Sequence, residues 1–241
     1  VEDSRPRFLD DVTVELVKHS ASDSDVLWAA RVSTAGEQSI EEINKDPERS
    51  KGLINFLMRD RHGTPFEHNS MTFLVKAPIF VFREFQRHRV GWSYNEESGR
   101  YRELQPDFYI PGPERKLVQE GRPGKYVFVD GTEKQHKIAV EVMESAYRSS
   151  YEAYREMLEA GIAREVARAV LPVGLFSSMY ATCNARSLMH FLSLRTKSEQ
   201  AKVPSFPQRE IEMVAERMEA AWAGLMPLTH AAFVANGRVA P

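Results

Sequence analysis

The sequence predicts a mixed α and β fold, and three observations carry that expectation. Residues 12–17 (VTVELV) and 69–76 (NSMTFLVK) alternate apolar and polar side chains, as half-buried strands do. Residues 133–159 place Ile138, Val142, Ala146, Tyr147, Tyr151 and Tyr154 along one side of a long helix. Strands and helices do not alternate regularly and no G-x-G-x-x-G loop is present, which argues against a doubly wound dinucleotide-binding sheet. A chain of 241 residues can bury a real core as one large domain or two small ones, and a single domain over 1–241 is expected.

Each element has its own signal. After the first strand, the turn-rich KHSASDSD leads into a helix over VLWAARVS, with Asp25 as the expected cap and Leu27, Ala30 and Arg31 close together. The polar stretch 33–50 reads as a loop with some helical character. KGLINFLMRD spaces Leu53, Phe56 and Leu57 as a helix, and the Gly and Pro of RHGTPFEHN mark a structured turn. On the strand at 69–76, Met71, Phe73 and Val75 share a face, and Pro78 suits the first turn of a following helix. That helix, IFVFREFQRHR, is spaced by Ile79, Phe82, Arg83 and Gln86, and would set Arg83 and Arg87 on one face.

Further along, residues 110–132 hold three prolines and four glycines and read as an excursion or lid-like loop. Gly161 is placed to end the long helix. IAREVARAVLP is a short helix stopped by Pro172, GLFSSMYATC a strand, and NARSLMHFLSLR a helix with Asn184 as cap. PQREIEMVAERMEAAWAGLM is the last main helix, before PLTHAAFVANGR. There is no internal repeat.

Composition sets bounds on function. Apolar residues make up 42% and charged residues 27%, the balance of an ordered, soluble chain. No apolar run approaches the roughly 18 residues of a membrane span, and VEDSRPRFLDD has neither a basic lead nor an apolar stretch, so a cytoplasmic protein without a membrane partner is expected. Cys183 is the only cysteine, which excludes an intrachain disulfide and fits a reducing compartment. A net charge of −2 gives no general attraction to nucleic acid, so any phosphate must be held locally.

The local candidates begin at Arg87, His88 and Arg89, followed by Ser93, Asn95, Ser98 and Gly99 and then by Arg100 and Arg102. Small polar residues expose amides that can form an anion nest, and arginine forks suit phosphate. The same residues also describe a solvated basic loop. Arg164 and Arg168 are spaced to share a helical face, with Glu165 between them, either as surface ion pairs or as cations seeking a partner in an apolar segment. Arg186 and His190 are spaced likewise with Arg195 beyond them, and His190 is either packed or a ligand contact. His62, Glu67, His68 and His88 lack the spacing of a helical zinc motif, and no metal is expected. Cys183 is expected to be an inert buried thiol rather than a nucleophile.

Seven blocks in order give these residues a context: AARVS (29–33), RHGTPFEH (61–68), VKAPIFVFREFQRHR (75–89), SYNEESGRY (93–101), FYIP (108–111), REVARAVLP (164–172) and NARSLMHFLSLR (184–195). In these the chain resembles the flavin-dependent thymidylate synthases over most of its length. The resemblance implies an α+β fold, one mixed domain whose central, mostly antiparallel sheet is flanked by helices. It implies conversion of dUMP to dTMP, with 5,10-methylenetetrahydrofolate as one-carbon donor and NADPH as reductant through FAD. The implied assembly is a homotetramer with sites between subunits and no nucleic-acid partner.

Carried residue by residue, the resemblance puts Arg87, His88 and Arg89 on FAD, with His62, Thr64, Glu96, Asn184 and His190 beside it. Ser98, Gly99 and Arg100 would hold the nucleotide phosphate together with Arg168 of another subunit, and Arg83, Glu84, Arg87, Glu96 and Glu97 would complete the substrate site. Arg195 would stabilise charge on the uracil, with Ser98 and His62 also in catalytic positions. Two features depart from the family pattern. Eight residues, Val90 to Glu97, separate Arg89 from Ser98 where the family usually has seven, which places an extra residue within Val90-Gly91-Trp92. Glu84 stands where relatives often carry Gln, and a carboxylate accepts hydrogen bonds but does not donate them unless protonated. An FAD-dependent NADPH oxidase without methyl transfer, and a non-enzymatic nucleotide- or RNA-binding module, are the alternatives.

Overall fold

Met71, Phe73 and Val75 leave strand β3 (Ser70–Pro78) on one face and all three are fully buried, as their alternation requires. The computed structural model describes residues 5–36, 42, 45–122 and 125–241. In it β3 lies within a four-stranded sheet of order β2-β3-β8-β4, formed with β2 (Thr13–Ser20), β4 (Trp92–Glu96) and β8 (Phe176–Cys183). The hydroxyls of Thr72 and Thr182 meet at 2.9 Å, and further along the Ile79 amide donates to the Leu175 carbonyl, the register of an antiparallel pair. The expected mixed α+β fold with a central antiparallel sheet and flanking helices is what forms. Two compact units divide the chain. One comprises β1 (Arg7–Leu9), Lys76–Arg83 and Glu96–Ser178, and the other Thr13–Val75, Glu84–Asn95 and Met179–Pro241.

The first unit is organised by helix α4 (Glu133–Glu159). Thr132 and Gln135 cap it reciprocally, and Gly161, at φ +80°, ends it as expected. Tyr147, Tyr151 and Tyr154 are buried, and Tyr147 stacks on Phe108 of β5 (Asp107–Tyr109) at 4.9 Å. The apolar stripe stops there: Ile138 and Val142 are 50% and 62% exposed, so only the C-terminal half of the helix packs in the chain. Residues 110–132, expected as an irregular excursion, instead contain an antiparallel hairpin of β6 (Val118–Arg122) and β7 (Lys125–Val129); Pro123 and Gly124 lie outside the described residues. Helix α5 (Arg164–Ala167) is a single turn continued by a 3-10 turn at Arg168–Val170, so Arg168 is its exposed C-cap rather than a cation among apolar neighbours.

The second unit holds most of the remaining helices. In α1 (Asp23–Ala35) the cap is Ser22, and Asp25 is not the cap but its partner, accepting from the Ser22 amide at 2.7 Å. Helix α2 (Pro47–Arg59) starts before the expected point, because Asp46 accepts from the Arg49 amide and Pro47 occupies the first position. Part of the polar stretch 33–50, residues 37–41 and 43–44, lies outside the described residues. Pro78 closes β3 and does not open α3 (Ile79–Phe85). Asn184 caps α6 (Ala185–Arg195) as expected, accepting from the Ser187 amide at 2.9 Å. After α7 (Arg209–Leu225) comes a further helix, α8 (Pro227–Ala235), that sequence reading missed. Its first amides are satisfied by the distant Asp23 carboxylate, which accepts from Leu228 and Thr229 at 2.9 Å each. No helix among the described residues is long and apolar enough to cross a membrane.

One buried ion cluster ties the first unit together. Asp107 is 1% exposed and takes Arg7 Nε at 2.6 Å and Lys76 Nζ at 2.5 Å. Burial opposes its charge, but the hydrogen bonds and charges of Arg7 and Lys76 outweigh burial and hold the carboxyl below its ordinary value. A lowered folded value means that this contribution is complete above the unfolded value and lost as pH falls through the folded one. Asp107→Asn is therefore expected to cost about 2 kcal/mol in urea unfolding at neutral pH, since its two cations are partly solvated. The same variant should flatten the fall in stability between about pH 5 and about pH 3.

Candidate active site

The basic triplet follows a helix end. Helix α3 stops at Phe85, and the amides of Arg87 and His88 bond back to Glu84 and Phe85. Arg87 is thus beyond the helix and does not share a helical face with Arg83, as the spacing had predicted. A turn from Arg89 to Trp92 comes next, with Val90 exposed and Gly91 at φ +69°. Gly91 backs onto the first turn of α6, where a Cβ would collide with Ser187 Oγ, and Ser187 Oγ donates to the Val90 carbonyl at 2.9 Å.

Strand β4 latches this turn from the other side. Tyr94 Oη reaches the carbonyls of Phe85 and His88 at 3.0 and 2.8 Å. Its ring stacks on Trp92 at 5.7 Å, and Phe85 stacks on Phe191 of α6 at 4.9 Å. Ser93 and Asn95 accordingly belong to a strand, not to the expected polar nest.

Helix α6 then brings Arg195 to the triplet. Its Nη1 donates to Glu84 Oε2 at 2.6 Å and its Nε donates to His88 Nε2 at 3.1 Å. Because a guanidinium only donates, His88 Nε2 must accept, and the neutral ring carries its proton on Nδ1. Burial, with the charges of Arg195 and His190, pushes His88 down to about 4, so the neutral form holds at physiological pH. His88 is 6% exposed, and its Nδ1 is buried without a hydrogen-bond partner among the described residues. Such an orphan donor has a cost that a ligand's acceptor would remove. The exposed His190 ring lies 6.0 Å from that of His88.

The chain beyond Arg195 is clamped by groups that sequence reading missed. Arg238 Nη2 donates to Thr196 Oγ1 at 2.8 Å, Ser205 Oγ donates to the Thr196 carbonyl, and the Lys197 amide donates to Glu212 Oε1 at 3.1 Å. Arg238 is itself held by Glu219 at 2.6 Å. No local pattern announces these partners.

His62 and Thr64 line a separate feature of the same unit, a cavity of about 430 Å³ bounded by α1, α2 and the 3-10 turn Thr64–Glu67. Arg31, Ser33, Phe56 and His68 also line it, so the AARVS and RHGTPFEH blocks meet there. Glu67 pairs with Arg186 at 2.5 Å, and Asn69 accepts from the Ala185 amide at 2.8 Å, fixing this wall to the start of α6. Arg31 and Ser33 were absent from the residues expected at the site, although their block was recognised. Cys183 is buried, and burial pushes its thiol far up, so it stays protonated and unreactive.

The phosphate candidates lie in the other unit. Ser98 starts a turn in which its carbonyl accepts from Tyr101 and its Oγ accepts from the Arg100 amide at 3.3 Å. A Cβ on Gly99 would meet Leu104 and the Arg168 side chain, so the Ser98–Gly99 turn and Arg168 adjoin within one chain. Arg100 pairs with Glu165 at 2.5 Å, and Arg102 with Glu97 at 3.1 Å. Burial raises the Glu96 carboxyl and the charge of Glu97 adds to it, against the Ser177 hydroxyl. Arg83, Arg87, Arg89 and Arg168 are exposed.

The likeness to known proteins runs through the same blocks. The family profile described as thymidylate synthase complementing protein matches residues 15–228. A flavin-dependent thymidylate synthase from Streptomyces avermitilis is 80% identical over 240 residues, covering 100% of this chain and 98% of the relative. A UMP/dUMP methylase, PolB from Streptomyces cacaoi, solved with 5-Br UMP, is 56% identical with a TM-score of 0.90, over 98% of this chain and 100% of the other. The same methylase with 5-Br dUMP matches at 58% identity and a TM-score of 0.90, over 97% and 99%.

The turn geometry is testable through its glycine. Gly91→Ala is expected to destabilise the protein by about 2 kcal/mol or more in urea unfolding, from its left-handed φ and the clash with Ser187. Gly52→Ala, in α2 with nothing within 4 Å of the new methyl, is the control and should stabilise by about 0.5 kcal/mol or more.

Proposed function

The chain belongs to the flavin-dependent thymidylate synthases, and on that premise we propose that it converts dUMP to dTMP, with 5,10-methylenetetrahydrofolate as one-carbon donor and NADPH as reductant through FAD. The observation that carries the reading is Arg195, a cation held at the rim of a largely buried cluster where a pyrimidine oxygen can accept from it. Interactions that strengthen as charge develops on a ring lower the barrier most, and a preoriented guanidinium in a partly dehydrated site meets that requirement.

The residues present fit FAD. His88 Nδ1–H is a buried donor in need of an acceptor, exposed Arg87 and Arg89 suit a pyrophosphate, and the cavity at His62 and Thr64 has room for part of a dinucleotide. Asn184, the cap of α6, lies by the Gly91 turn, and His190 lies beside His88. Bound FAD would supply the hydride chemistry, which protein side chains lack. With its thiol protonated, Cys183 is unsuited to activating the pyrimidine covalently.

The nucleotide phosphate is assigned to Ser98, Gly99, Arg100 and Arg168. Both partners of the Arg100–Glu165 pair are about half exposed, so the pair is weak and a phosphate can replace the carboxylate. Glu96, Glu97 and Arg83 are assigned to the surrounding substrate wall. A homotetramer fits the apolar side chains that the first unit leaves exposed, among them Ile138, Val142 and Val127. A cytoplasmic location fits substrates that are intracellular metabolites.

The test is an absorbance spectrum of the FAD-reconstituted protein, then anaerobic addition of NADPH with and without dUMP, and with UMP in parallel. Bound flavin that bleaches faster with dUMP, and dTMP after methylenetetrahydrofolate is added, are the expected results. Failure to retain flavin would overturn the assignment, and bleaching without dTMP would favour the oxidase. Arg195→Ala should keep FAD and lose at least about 100-fold in dTMP formation.

A further inference from the structure

Glu84 deepens this reading, and the role assigned to it rests on Arg195 meeting the pyrimidine. The Glu84 carboxylate and the Arg195 guanidinium are 23% and 18% exposed, buried enough to be strong partners and open enough for a ligand to reach them. Arg195 has two directions already committed, Nη1 to Glu84 and Nε to His88. His88 cannot leave easily, because Tyr94 holds its carbonyl and Phe191 packs on its ring at 4.9 Å. Glu84, in the last turn of α3 and partly exposed, is the partner that can be exchanged.

We propose that Glu84 is an internal stand-in for the nucleotide: it occupies Arg195 in the free enzyme and yields it to a pyrimidine oxygen when dUMP binds. An uncharged residue here would leave Arg195 easier to recruit. The carboxylate therefore sets the affinity for the nucleotide and links it to a proton.

The groups that decide the proton are Arg195 of α6, Glu210 of α7 and His88, with Arg83 and Arg87 adjacent in the chain. Burial raises the Glu84 carboxyl and Glu210 adds to it, while Arg195 opposes both. Once a nucleotide oxygen takes the guanidinium, the opposing influence weakens and Glu84 takes a proton from solvent. Affinity for dUMP then rises as pH falls from neutrality toward the ordinary carboxylate range, and binding is accompanied by proton uptake.

The experiment measures dUMP binding to the FAD-loaded enzyme by calorimetry between about pH 5.5 and about pH 8, in buffers of different ionisation enthalpy. Glu84→Gln is compared with the wild type, and Glu84→Ala is the second variant. The phosphate of dUMP titrates in all three proteins, so the difference isolates Glu84. Glu84→Gln is expected to bind dUMP about ten-fold tighter at pH 8, with a shallower pH dependence and less proton uptake. Superimposable pH slopes and proton uptake, or weaker binding by Glu84→Gln at pH 8, would overturn the stand-in role while leaving the functional reading intact. Absence of dUMP binding by the wild type would overturn both.

Discussion

A guanidinium largely withdrawn from water must be given partners, and the way Arg195 is satisfied organises everything near it. One side needs a carboxylate, which comes from the last turn of α3, and another needs a neutral acceptor, which is His88 just past that turn. For His88 to accept, the helix has to end at Phe85 so that the chain folds back, and β4 has to supply the Tyr94 hydroxyl that fixes the fold-back. The clamp on Thr196 and Lys197 completes the constraint by fixing where α6 delivers its arginine.

That constraint also explains the local chemistry. A charged His88 would repel the Arg195 guanidinium that it touches; burial and that guanidinium instead keep His88 neutral, which leaves the charge on Arg195 and fixes a tautomer. The remaining positive charge is offset by Glu84. A site of this kind holds its cation in place at little electrostatic cost and presents a buried donor, His88 Nδ1, that has no partner among the described residues. On the side proposed for the phosphate, the exposed Arg100 and Arg102 are instead paired with Glu165 and Glu97.

Strand β4 links the two chemistries by covalent continuity. It begins at Trp92, directly after the Gly91 turn, and ends at Glu96, two residues before Ser98. The chain turns on the triplet side at a left-handed glycine pressed against α6, and the Ser98 turn is a compact local structure.

The sequence alone determined the elements whose signals are local and periodic: β3 from its alternation, α4 between Thr132 and Gly161, α6 from its Asn184 cap, and the family from ordered blocks. These succeed because a strand's alternation, a helical repeat and a cap are all written within a few residues. Tertiary structure decided what depends on distant partners. Helix α8 is capped by Asp23 from far upstream, the stripe of α4 loses its N-terminal half for want of a packing surface in the chain, and Arg87 leaves the helix because Tyr94 and Phe191 favour a turn. The same holds at the site, where the resemblance pointed to Arg195, His88 and Glu84 one by one. That the first donates to the other two results from packing α6 on the end of α3, a contact across more than a hundred residues that no local pattern encodes.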